Sequence, residues 1–82
     1  MRVADGKHVE WVDEEAVVLD SDSGDLHYLN GPAAKVYALI GEYGYDKGLE
    51  ELERQHGAEP DFKAQLDDVL KDMVEKGLLV DE

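Results

Sequence analysis

"SDSGDLHYLNGPAAKVYALI", residues 21–40, reads as a turn, a short strand, an abrupt break and an amphipathic helix. Asp and Ser favour hydrogen bonds to nearby backbone, and Gly24 tolerates positive φ, so Ser21–Gly24 carries turn chemistry. Asp25–Leu29 then reads as a returning strand. Asn30 or Gly31 suits a helix N-cap, and Pro32 suits the first turn, where its missing N–H costs nothing. Ala33, Val36, Tyr37 and Ile40 follow at i, i+3, i+4 and i+7, the apolar stripe of a helix. A strand that passes so directly into a helix fixes the space between them.

Upstream, "EAVVLD" (15–20) is dense in β-branched residues and predicts the partner strand. "HVEWV" (8–12) alternates, with Val9 and Trp11 on one side, and predicts a third strand. Residues 1–7 are polar and glycine-containing and are expected to be loose. Downstream, Gly41 and Gly44 are expected to end the first helix. Asp46 is placed to cap a second, with Leu49 and Leu52 on its apolar side, stopping near His56-Gly57. Asp61 is placed to cap a third, whose stripe is Phe62, Leu66, Val69, Leu70, Met73 and Val74, closed by Gly77. "LLV" (78–80) is expected to pack back on the core as an extended tail. The order is an α+β domain: a three-stranded antiparallel meander followed by three helices, in one domain over residues 1–82. Val17, Leu19, Leu26, Tyr28, Val36, Ile40, Leu52, Leu66, Val69, Leu70 and Met73 are the expected core.

The 82 residues hold 21 Asp+Glu against 8 Lys+Arg, a net charge of −13 spread along the chain. Nucleic-acid affinity rests chiefly on cations that neutralise phosphates, so such a surface argues against a nucleic-acid partner. It equally disfavours anionic membrane surfaces. The mean hydropathy of −0.50 and the absence of a roughly 20-residue apolar run argue against a membrane span. The first residues lack the apolar block of a secretory signal. With no Cys there is no disulfide framework, thiolate metal site or cysteine nucleophile. A cytoplasmic location is the simplest expectation.

In this order and in these residues the chain resembles the PQQ biosynthesis protein D family, whose domain is also called the RiPP precursor peptide recognition element. The resemblance runs from about Trp11 to Leu79. It is carried by "VVLDSDSGDLHYLN", "GPAAKVYALI" and "QLDDVLKDMVEKGLL". Within these, Leu29-Asn30, Tyr37, Asp68-Val69, Met73 and Gly77-Leu78 stand where the family shows its characteristic residues. Tyr37 replaces the more usual Trp, and Pro32-Ala33-Ala34 stands where many members carry a Thr-Gly pair. The "SG-x-x-H-x-LN-x-x-A" arrangement is closer to a branch associated with an HPr-kinase-related system.

The resemblance implies a sheet packed on three helices, related to winged helix-turn-helix domains. It implies a non-catalytic adaptor without cofactor, which binds the leader segment of a ribosomally made precursor peptide. The adaptor presents that segment to a modifying enzyme, such as a radical SAM enzyme or another maturase. The peptide is expected as an added strand along Asp25, Leu26, His27, Tyr28 and Leu29, with anchors reaching toward Phe62, Gln65, Leu66 and Val69. An edge strand has unpaired N–H and C=O groups, so the residues themselves allow this mode.

Other chemistries fit less well. His8, His27 and His56 share no metal-ligand spacing. Asp20, Asp22 and Asp25 lack the remaining ligands of a calcium loop. A winged-helix DNA-binding regulator is the alternative that the architecture allows, but the third helix shows Asp67, Asp68, Asp72 and Glu75 beside Lys63, Lys71 and Lys76. A carrier protein is a further alternative; the Ser residues of "DSDSG" sit in the expected hairpin turn and not at a helix start.

Overall fold

Asn30 divides the chain into a sheet half and a helical half in the computed structural model, which describes residues 1–80. The strands are β1 (Arg2–Val3), β2 (Lys7–Val12), β3 (Glu15–Asp20) and β4 (Leu26–Leu29). The helices are α1 (Gly31–Tyr43), α2 (Tyr45–His56) and α3 (Phe62–Glu75), and β5 (Leu79–Val80) follows. The expected α+β class and element order are therefore observed. β2, β3 and β4 form an antiparallel sheet in that order.

Local chemistry sets the turns. Between β2 and β3, Asp13 takes φ 58, a left-handed conformation that Asp tolerates better than most residues. Between β3 and β4, the Asp20 carboxylate accepts the backbone N–H of Asp22 at 3.0 Å and of Ser23 at 3.4 Å. Gly24 supplies φ +78 there. Lys7, at the start of β2, donates to Asp20 at 2.9 Å, both side chains being largely covered. Lys7 first, and then the Asp22 N–H, lower the Asp20 carboxyl from 3.8 to about 2.

Leu29 enters the core and Asn30 caps α1, accepting the Ala33 N–H at 3.0 Å with Pro32 in the first turn. Gly41 lies inside α1, which ends at Gly44 (φ +87). Gly44 also stands at the N-cap of α2, so Asp46 does not cap that helix but sits in its first turn. There its charge meets the positive end of the helix dipole. α2 crosses α1 closely, since a Cβ on Gly48 would lie 3.0 Å from the Leu39 and Ile40 backbone. Asp61 occupies the N-cap of α3 without a side-chain cap bond. Gly77 (φ +74) closes α3: its N–H donates to Val74 O, and the Leu78 N–H to Met73 O. These two bonds form a Schellman motif, which turns buried Leu78 back over buried Met73.

The "LLV" tail packs as expected, with Leu78 and Leu79 buried. Its partner comes from the segment expected to be loose. β1 pairs with β5 (Arg2↔Val80, Val3↔Leu79), and the Ala4 N–H donates to Leu78 O at 3.0 Å.

Strand facing is the main correction. Val17, Leu19, Leu26 and Tyr28 were expected inside, but Ala16, Val18 and Leu29 are buried while Leu19, Leu26 and Tyr28 are exposed and Val17 is half-buried. "EAVVL" is apolar at both alternations, so period alone cannot choose a face. The buried row of Leu29, which meets Ala16 across the ladder, is the one that turns toward α1. Of the other expected core residues, Val36, Ile40, Leu52, Leu70 and Met73 are buried, whereas Leu66 and Val69 are half-buried.

These placements predict opposite responses to truncation. Leu70→Ala should lower the unfolding free energy by about 2–5 kcal/mol in denaturant melts. Leu26→Ala should change it by less than about 0.5 kcal/mol. Acid titration tests the Asp20 network. Its carboxyl is held below the unfolded value, so its contribution is complete above about pH 4. That contribution is lost as the pH falls through about 2. The stability gap between the protein and Asp20→Asn should therefore narrow across that window.

Candidate functional site

A strand paired on one side presents backbone N–H and C=O groups on the other. β4 is such a strand, lying at the edge of the sheet with β3 on one side. Its side chains alternate in the usual way. Leu26 and Tyr28 point out from the exposed sheet face, and the Tyr28 hydroxyl donates to Glu15. That bond is the main cause that raises the Tyr28 phenol above its usual range, with desolvation next. His27 is half-buried on the inner alternation, and Asp25 is an exposed turn residue whose N–H is held by Ser23 Oγ at 3.2 Å. Leu29 is buried, so its side chain is a core element; the ladder that starts with the Asp20 N–H on Asp25 O turns the backbone groups of His27 and Leu29 toward β3 and those of Leu26 and Tyr28 toward the open edge.

The helical half of the expected site lies elsewhere and forms a groove. Phe62, Gln65, Leu66 and Val69 recur at i, i+3, i+4 and i+7 and so share one face of α3. That face lines a groove of about 680 Å³. Pro32, Lys35, Val36 and Leu39 of α1 form another wall, and Leu52 and His56 of α2 contribute to the lining. Trp11 and Glu14 reach it from the β2–β3 hairpin. This position explains why Leu66 and Val69 are half-buried: their stripe faces an open space and not a neighbouring layer.

No residue from 25 to 29 lines the groove, but Gly31 and Pro32, which follow β4 almost at once, do. The structure thus brings the α3 residues together with α1 and Trp11, and leaves the β4 edge leading to the groove's rim. Sequence reasoning missed Trp11, Lys35 and His56 as groove residues. The alternation placed Trp11 on the same side of its strand as Val9, which was the available signal; no local pattern joins Lys35 to His56.

Besides Glu14 and Gln65, the polar lining of the groove forms one connected chain. Lys35 Nζ lies 2.8 Å from His56 Nε2, and His56 Nδ1 lies 3.1 Å from Glu59 Oε1. An ammonium can only donate, so Nε2 accepts and the Nδ1–H donates to Glu59. This orders Lys35 across the groove wall through His56. Among the described residues no group of three His, Asp or Glu is placed to hold a metal ion, and no helix is long and apolar enough to cross a membrane.

Comparison with known proteins adds one result. No family model matches the chain. No curated protein matches it. Among solved structures it is similar to TbiB1 in complex with the TbiA(beta) leader peptide, with a TM-score of 0.79 and 21% identity. The likeness covers 100% of this chain and 98% of that one. At this identity the likeness establishes the fold: an open antiparallel sheet carried on three helices.

Trp11 is the sole Trp and stands at the groove with about half its surface exposed. Its emission should be readily quenched by acrylamide in the free protein. A ligand that fills the groove should shift the emission to shorter wavelength and protect it from quenching, whereas a ligand confined to the separate surface of Tyr43, Lys47 and Glu50 should not.

Proposed function

We propose that the protein is a peptide-binding adaptor of the RiPP precursor peptide recognition type, similar to the PQQ biosynthesis protein D family. It takes up the leader segment of a ribosomally made precursor as an added strand on β4 and presents it to a modifying enzyme such as a radical SAM maturase. The observation that carries this reading is the β4 edge, unpaired among the described residues, which is followed at once by the groove residues Gly31 and Pro32. Main-chain pairing along Asp25–Leu29 supplies affinity that is indifferent to sequence. Side chains beyond the paired segment then pass Gly31 and Pro32 and seat against Phe62, Gln65, Leu66 and Val69, which supplies selectivity. Leu26, His27 and Tyr28 flank the added strand. The likeness to TbiB1, solved with a leader peptide, supports the same use of the fold.

The adaptor is non-catalytic in this reading, needs no cofactor and works in the cytoplasm as a single domain. A DNA-binding role is disfavoured by charge, because α3 exposes Asp67, Asp68, Asp72 and Glu75, and Asp72 holds Lys76 at 2.8 Å. In a fluorescence anisotropy titration at physiological salt, duplex DNA should bind no better than background.

Single proline replacements along a bound leader peptide should weaken binding at alternate positions, where an N–H enters the ladder. Amide exchange across residues 25–29 should slow when the peptide binds. Protection confined to residues 46–56 would reject this binding mode. Val69→Lys should reduce affinity at least tenfold without loss of fold, since Val69 borders solvent in the groove.

A further inference from the structure

The outer face of the sheet carries an apolar surface that neither the core nor the groove uses. Side chains at alternate positions of β2, β3 and β4 point to it: His8, Glu10 and Val12; Glu15, Val17 and Leu19; Leu26 and Tyr28. Leu19 faces Leu26 directly across the ladder, and Val17 faces Tyr28, so the apolar positions are contiguous across two strands. Leu26 is 68% exposed, Tyr28 57% and Val12 58%. A two-layer domain ordinarily places polar residues on such a face. The polar residues of this face are His8, Glu10 and Glu15, with Glu10 opposite Val17, Glu15 opposite Val12 and His8 2.7 Å from Glu10, and exposed Asp13, Asp22 and Asp25 in the turns add negative charge around it.

We infer that this face is a docking surface for a second protein whose own contact patch is apolar at the centre and ringed by Lys and Arg. Charge selects that occupant. A second copy of this chain would set one acidic margin against another on molecules of net charge −13, and anionic lipid would be repelled in the same way. A cationic margin instead speeds encounter and fixes orientation, while Leu19, Leu26 and Tyr28 lose their contact with water. If the adaptor reading holds, the partner is the modifying enzyme. A leader strand added beside Leu26 and Tyr28 would then place every second side chain on this same face. The enzyme would read a surface that the peptide widens, so peptide and enzyme would each strengthen the binding of the other.

The test uses the full chain and a defined probe, a 20-residue amphipathic helix of Leu and Lys, with a Leu/Glu helix of equal length as control. Amide shifts on titration should cluster at Val12, Val17, Leu19, Leu26 and Tyr28. Leu19→Lys should weaken the probe at least tenfold. Leu19 lies on the central strand, so this variant leaves the β4 edge open, and its dispersed amide spectrum will report that it is folded. Val12→Lys, at the other end of the face, should act in the same direction. Shifts scattered over the acidic surface, equal binding of the Leu/Glu helix, or self-association through this face in sedimentation would each overturn the inference. Peptide binding is read separately by exchange at residues 25–29. Outer-face shifts without that protection would reject the adaptor reading and leave the docking surface standing.

Discussion

The turn of the backbone at Leu29-Asn30 is the constraint on which the rest depends. Leu29 is drawn into the core while Asn30 holds the first turn of α1 through the Ala33 N–H. With those two residues fixed, α1 must lie under the Ala16–Leu29 side of the sheet. That decides which alternation of β3 is interior, and it leaves the other apolar alternation facing out. It also leaves β4, among the described residues, without a strand on its second edge. The inner core, the open edge and the outer apolar face are consequences of one junction.

The helices extend that arrangement. Gly44 joins α1 to α2 through a single residue at positive φ, and Gly48 lets the two backbones approach to contact distance. α2 is thereby held on α1 and its C-terminal His56 reaches the Lys35 side chain. α3 is placed from the other direction, by the Schellman turn that folds Leu78 onto Met73. The groove is the space left between elements that are each positioned for other reasons. It can be lined by Phe62, Leu66 and Val69 without being filled by them.

Much of the fold was legible because its boundaries are written in local chemistry. Asn30-Gly31-Pro32, His56-Gly57 and Gly77 each stop or start a helix by their own conformational preferences, and the structure places them there. The α3 face of the candidate site was legible for the same reason, since helical period puts Phe62, Gln65, Leu66 and Val69 together whatever they face. What could not be read was tertiary. "AVVL" is apolar on both alternations, so its inner face depends on α1 and not on the strand. Trp11, Lys35 and His56 lie far apart in sequence and meet only because the β2–β3 hairpin, α1 and α2 converge. Asp46 was misread as a cap because Gly44, with no side chain to offer, was read only as a helix stop.

The pairing of β1 with β5 gives the domain a closed topology. Arg2 and Val80 are neighbours across a ladder, so the described chain runs out from one point and returns to it. In such a ring the order of elements matters less than their adjacency. The same core and ladder contacts, though not the Asp20 turn, could be made by a chain whose ends are joined near Arg2 and Val80 and which is opened instead in the exposed turn after Asp20. In that rearranged molecule β4 would begin the chain, and the open edge would lie beside a terminus. A peptide ligand could then be fused directly to the strand it is proposed to extend.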